Sequence, residues 1–244
     1  LFSVAFLPLL FTVLPLAILY FTRSTGDLGM ESALTSDLPP SFAQFCSDMT
    51  GQECMQYFVV SQFMLLFMMV PMIVPITFAS YSIVGEKSTR TLEPLLATPI
   101  STFELLLGKA LAATLPAVLA TWLSFLLYAV GTVILAVGPA VTARLFDVLW
   151  LVAIFVVGPL LAVAGVSIAV MISSRVSDPR VAEQISAVFV LPLIGLFVGQ
   201  STGLIFINET IILWMAAGLL VLYLALFAFA TQLFQRETIL TRWK

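Results

Sequence analysis

The sequence predicts an all-α integral membrane protein: six transmembrane helices, both ends in the cytoplasm, and a short amphipathic helix between the second and third spans. Three observations carry this. First, 61% of the 244 residues are hydrophobic and 9% are charged, whereas a soluble domain carries roughly 25% charged residues. Second, all 10 basic and 13 acidic residues fall outside six uncharged runs, at 1–22, 58–84, 110–143, 148–174, 184–208 and 210–235. Crossing a hydrocarbon core about 30 Å thick takes about 20 apolar residues in helical form, so each run is long enough. Third, the runs are apolar on every side, as in Phe63-Met64-Leu65-Leu66-Phe67-Met68-Met69-Val70. A transmembrane β-barrel would instead alternate apolar and polar residues in segments of about ten. Helices are favoured because each satisfies its own backbone hydrogen bonds in lipid.

In chain order, the expected helices cover about 1–22, 58–84, 110–136, 148–174, 183–203 and 210–235, within a single transmembrane domain of residues 1–244. The chain opens at Leu1 inside an apolar run, so cytoplasmic residues are expected to precede it. A cleaved signal peptide would need a basic segment before the run and a small-residue cleavage site, and neither is evident. The segment 23–57 is an extracytoplasmic loop, and 85–109 is a cytoplasmic one.

Basic residues set this orientation, since Lys and Arg collect in cytoplasmic loops near helix ends. Lys87, Arg90, Lys109, Arg175, Arg180, Arg236, Arg242 and Lys244 all fall on one side, and only Arg23 and Arg144 on the other. The outer loop is acidic, with Asp27, Glu31, Asp37, Asp48 and Glu53, which reads as a solvated cap. It also holds both cysteines, Cys46 and Cys54. In an oxidising compartment this pair can close a small disulfide loop; the alternative is two free thiols. Two thiols and no histidine do not make a zinc site.

The spans contain no Asp, Glu, Lys, Arg or His. Ion-coupled carriers usually place such groups within the membrane, although sodium can also be held by carbonyls at broken helices. A membrane enzyme would need a polar catalytic cluster, and there is no His to pair with a Ser nucleophile and no Gly-x-Ser-x-Gly elbow. Flexing elements are present instead. Pro71 and Pro75 stand one turn apart in the second span, and each removes a backbone hydrogen bond. Gly195, Gly199 and Gly203 recur every four residues in the fifth, which suits either close helix packing or a helix that breaks and re-enters. Gly158-Pro159 in the fourth span reads as a bend.

In the cytoplasmic segment, Leu92, Leu95, Leu96 and Pro99 recur at helical spacing with Arg90 and Glu93 on other faces. A short amphipathic helix at the membrane surface or against a partner follows, and Pro99 ends it. Ser101-Thr102-Phe103-Glu104 then has the capping-box pattern, so a new helix is expected to start there and run into the third span. Asp178-Pro179 sets a cap and a first helical residue on the other inside loop. Gly108-Lys109 is no P-loop, because the preceding Gly and following Ser or Thr are replaced by Phe103 and Ala110.

The run Glu86-Lys87, Thr91-Leu92-Glu93, Leu95-Leu96, Pro99 and Gly108-Lys109, placed between spans two and three, resembles the signature of ABC-2 type exporter permeases, closest to the sodium-efflux and multidrug branch. The resemblance implies a subunit of the cell inner or plasma membrane that dimerises, with a like or related permease, and binds a separate ABC ATPase. It implies that the translocation path runs between the two permeases. Glu86 and Lys87 would anchor the end of helix two, and the stretch Arg90, Thr91, Leu92, Glu93, Leu95, Leu96, Pro99 would be the coupling element. No enzymatic activity is expected in this chain, nor any cofactor or metal; ATP and Mg would sit in the partner. Membrane lipid is the remaining partner, and no nucleic acid is expected. An ion-coupled carrier or a non-transporting sensor is the alternative. The Phe- and Met-rich spans suit an apolar or amphipathic cargo and suit lipid contact equally well; drug, lipid, peptide and sodium export all stay open.

Overall fold

The computed structural model describes residues 2–26, 49–88, 102–176, 178–204 and 209–233. Every regular element among them is helical. Helix α1 is Phe2–Gly26, α2 is Gly51–Ser88, α3 is Thr102–Leu135 and α4 is the short Pro139–Leu145. Helix α5 runs through Val148–Val152, a π-helical turn Ala153–Val157 and Gly158–Arg175. Helix α6 joins Pro179–Ala187, a 3-10 turn Val188–Val190 and Leu191–Ser201, and α7 is Glu209–Leu233. Five of the helices are long and apolar enough to cross a bilayer, and a shorter apolar stretch, Thr210–Leu222, lies in α7. The chain is an all-α membrane protein.

Helix α2 is the centre of the bundle. It packs against α1, α3, α4, α5 and α6, and nearly every residue from Val59 to Ile76 is buried. At about 1.5 Å per residue, its 38 residues run about 57 Å, well beyond the hydrocarbon core at both ends. It begins at Gly51 rather than Phe58 and continues to Ser88, so Glu86 and Lys87 lie in its last turn. Thr50 caps the start, with Glu53 N donating to Thr50 Oγ1 at 3.2 Å, and Thr50-Gly51-Gln52-Glu53 has the sequence pattern of a capping box. Pro71 and Pro75 sit inside this helix, which stays unbroken through both. The long uncharged stretch 110–143 is not one helix. It ends as α3 at Leu135, and Gly138-Pro139 opens α4.

Prolines explain the irregular turns of α5 and α6. In the π turn, Gly158 N donates to Ala153 O. The next π-type donor to Ile154 O would be the amide of residue 159, which is proline and has none. Trp122 Nε1 of α3 supplies the missing bond at 3.4 Å, and its ring lies 5.5 Å from that of Phe155. In α6, Pro192 cannot donate to Val188 O, and Leu191 N bonds it instead, which tightens the helix to a 3-10 turn. Trp122→Phe keeps the ring contact and orphans Ile154 O. We expect a stability loss of about 1–2 kcal/mol, measurable by reversible unfolding in mixed micelles.

Among the described residues the α2–α5 contact is the most extensive, and Gly165 of α5 makes it close. A Cβ there would lie 3.3 Å from both Met72 Cγ and the Met72 carbonyl oxygen, whereas one at Gly158 would be in ordinary contact with Pro71 at 3.5 Å. The outward faces of α1, α3, α6 and α7 carry exposed apolar side chains, among them Phe21, Leu119, Leu123, Val188 and Trp214. In water such a surface would be untenable; in a bilayer it is the lipid face.

Candidate functional site: a polar end and the opposite end of helix α2

The starts of α2, α4 and α5 and the finishes of α1, α3 and α6 meet at one end of the bundle, opposite the Glu86–Lys87 end of α2. Polar side chains concentrate there. Gln56, fully buried, directs Nε2 towards Leu19 O at 3.2 Å, Thr22 Oγ1 at 3.4 Å and Leu135 O at 3.3 Å, and accepts from Val137 N at 2.9 Å. Gln52 Nε2 donates to Thr22 O and Arg23 O, each at 2.8 Å. The Glu53 carboxylate accepts from Ala140 N at 3.1 Å and fills the space where a Cβ on residue 138 would stand, which is why that residue is glycine. These groups cap the loose carbonyls of α1 and α3 and the loose amides of α4, which helix ends leave unpaired. The stretch 51–57 is therefore helix and clamp, not part of the open loop.

The two basic residues that break the charge asymmetry are both tied down here. Arg23 Nη1 donates to Ile134 O in the last turn of α3 at 2.9 Å, where a cation suits the helix dipole. Arg144 pairs with Asp147 at 3.2 Å, donates to Ser61 Oγ at 3.1 Å, and lies 5.4 Å from the ring centroids of both Tyr57 and Trp150. Asp147 also caps the start of α5 through Leu149 N.

Beside this cluster, α6 is stitched to α2. Gln200 Nε2 donates to Ser61 O at 3.1 Å, and Ser201 Oγ lies 3.0 Å from Gln62 Oε1. The stitching is incomplete: among the described residues Gln62 Nε2 and Gln200 Oε1 are buried without a hydrogen-bond partner, as is Trp150 Nε1 in α5. A buried polar atom left unpaired costs about 1–3 kcal/mol.

Of the residues expected to flex, Gly199 is buried against the bundle, while Gly195 is exposed with open space around it. Gly203 has φ 72° and terminates α6. Its amide donates to Gln200 O at 3.0 Å and that of Leu204 to Gly199 O at 2.9 Å, the paired bonds of a Schellman stop. The three glycines thus do different jobs and do not form one packed face within a single copy. Cys54 is disulfide-bonded and buried; Cys46 lies outside the described residues. On the opposite loop, Asp178 caps α6 through Arg180 N at 2.8 Å with Pro179 at the first helical position. Helix α3 begins at Thr102, and Gly108 and Lys109 are inside it, not in a phosphate-binding loop.

The backbone of Glu86 and Lys87 is described within α2, without their side chains. Arg90, Thr91, Leu92, Glu93, Leu95, Leu96 and Pro99 lie outside the described residues. The helices on either side, ending at Ser88 and starting at Thr102, bound that segment. Among the described residues no group of three or more His, Cys, Asp or Glu side chains is placed to hold a metal ion. A family model described as ABC-2 family transporter protein matches residues 1–238. No curated protein and no solved structure matches the chain.

Proposed function

The chain belongs to the ABC-2 family of transporter proteins, and from that premise we propose that it is the membrane permease of an ATP-driven exporter. The observation that carries this is the family match across 1–238, which takes in the helices and the segment between α2 and α3 alike. The energy source lies in a separate ABC ATPase, and ATP and Mg bind there. The permease works as a pair of copies, or with a related permease, and its apolar flanks contact lipid.

Coupling belongs to the segment after α2. Glu86 and Lys87 anchor the helix end, and the Leu92, Leu95, Leu96 face, bordered by Arg90, Thr91, Glu93 and Pro99, docks on the ATPase. Because α2 contacts most of the bundle, a push on its cytoplasmic end reaches the polar end about 57 Å away. Topology follows the basic residues: the chain ends and this segment are cytoplasmic, and the Gln56 clamp faces outward. The cargo is exported through the cell inner or plasma membrane. Pro71 and Pro75 in α2, and Gly195, Gly199 and Gly203 in α6, are the positions at which the helices adjust during the cycle.

Purification from mild detergent, with identification of accompanying chains, tests the reading. A P-loop ATPase is expected to come with the intact chain. Recovery of the chain alone, active in ion-driven uptake, would favour a secondary carrier.

A further inference from the structure

We propose that the seam between α2 and the end of α6 opens as a water-filled exit at the outer face, lined by Ser61, Gln62, Gln200 and Ser201. These groups would meet an uncharged hydrogen-bonding group of the cargo, such as a hydroxyl or an amide. The inference rests on the permease reading, and each copy would contribute one such seam to the outer end of the path between the two permeases.

Three features converge on this seam. The helix–helix contact there depends on polar side chains: Gln200 Nε2 reaches Ser61 O at 3.1 Å and Ser201 Oγ reaches Gln62 Oε1 at 3.0 Å. Through the middle of its length α2 meets its neighbours mainly through Met, Leu, Val and Ile. Apolar contacts lose much when water enters, whereas amide and hydroxyl contacts exchange one hydrogen bond for another.

The seam also holds polar atoms that its closed form leaves unpaired, on side chains more than nine-tenths buried. Gln62 is 6% exposed and Gln200 is 2%, yet among the described residues Gln62 Nε2 and Gln200 Oε1 have no partner. The orientation of the Gln62 amide does not remove this. Ser201 Oγ has one hydrogen and lies 2.7 Å from Phe197 O. If it donates there, a turned amide can donate to Ser201, and Oε1 of Gln62 is then the free atom. Either way the seam offers donors and acceptors that only water or a ligand can satisfy, which biases it towards an open, hydrated state.

Finally, the moving partner is the end of a helix. Helix α6 stops in the Gly203 turn immediately after Gln200 and Ser201, so its last turn can swing without unwinding a helix interior. Arg144, held by Asp147 and by the Tyr57 and Trp150 rings, keeps the α2 side of the seam fixed through Ser61 Oγ.

The test is water access. Ser61→Cys, a near-isosteric change, and Gln200→Cys are each placed in the complex with its ATPase. Each complex is exposed on the outer face to a membrane-impermeant methanethiosulfonate, with and without a non-hydrolysable ATP analogue. The parent chain reports reaction at native cysteines, and Leu119→Cys on the lipid face of α3 is the second control. The labelling rate at Ser61→Cys is expected to rise at least about tenfold with the analogue, as a minor open state becomes dominant, and Leu119→Cys to stay unreactive. Should Gln200→Cys fail to fold, Ser61→Cys decides alone. Equal labelling in the two states, with the ATPase bound and active, overturns the exit and leaves the permease reading intact. Absence of any ATPase partner overturns both.

Discussion

Replacing Leu92, Leu95 and Leu96 together with Asp releases the ATPase from the permease while the membrane bundle stays assembled. Burying one leucine side chain is worth roughly 1.5–3 kcal/mol. Three carboxylates in their place remove about 5 kcal/mol or more, before any cost of desolvating charge. Association therefore weakens by at least about 1000-fold. Quantifying the ATPase recovered with equal amounts of wild-type and triple-variant chain checks this, with size-exclusion profiles in detergent confirming that the bundle is intact. Undiminished recovery of the ATPase would move the docking surface elsewhere on the cytoplasmic side.

The second large effect is expected at the opposite end. Gln56→Met preserves side-chain size and removes every polar contact of a fully buried residue. Val137 N loses its acceptor, and the carbonyl of Leu135 at the end of α3 loses a donor. One or two orphaned backbone groups at about 1–3 kcal/mol each give a loss of roughly 2–4 kcal/mol, among the larger effects of single substitutions. Thermal unfolding in detergent, followed by near-ultraviolet circular dichroism, reads the change. Because Gln56 joins the ends of α1 and α3 to the start of α4, the variant should loosen those junctions together. A wild-type melting curve would mean that the clamp merely accompanies the apolar packing of α2.

The bundle was legible in the sequence because charge cannot be hidden in hydrocarbon. The six uncharged runs correspond to the long helices, and Asp178-Pro179 marked the start of α6 to the residue. The same criterion misplaced the start of α2. Gln52, Glu53 and Gln56 read as loop because they are polar, but their partners are helix ends from distant parts of the chain, invisible to local pattern. The Thr50-x-x-Glu53 capping box was the signal that could have found it.

Glycine spacing left two readings open. Gly195, Gly199 and Gly203 suited a packed stripe or a broken helix, and in the fold Gly203 ends α6 in a left-handed stop while Gly195 meets nothing. The glycine that lets helices approach closely, Gly165, lies opposite Met72, and only the fold brings that pair together. The π turn before Pro159 was read as a bend, and the indole that completes it comes from another helix. At the polar end, Gln62 and Gln200 carried no motif at all. Their importance arises from sharing one buried seam.

Coupling to a separate ATPase is the central claim, and ATP hydrolysis by the reconstituted assembly tests it most directly. The ATPase that co-purifies with this chain is assayed in lipid nanodiscs alone, with wild-type chain, and with the chain carrying Asp at 92, 95 and 96. The account predicts that wild-type chain changes the hydrolysis rate and that the triple variant leaves it at the level of the ATPase alone. A chain that purifies without any ATPase, or a rate indifferent to all three conditions, would contradict it.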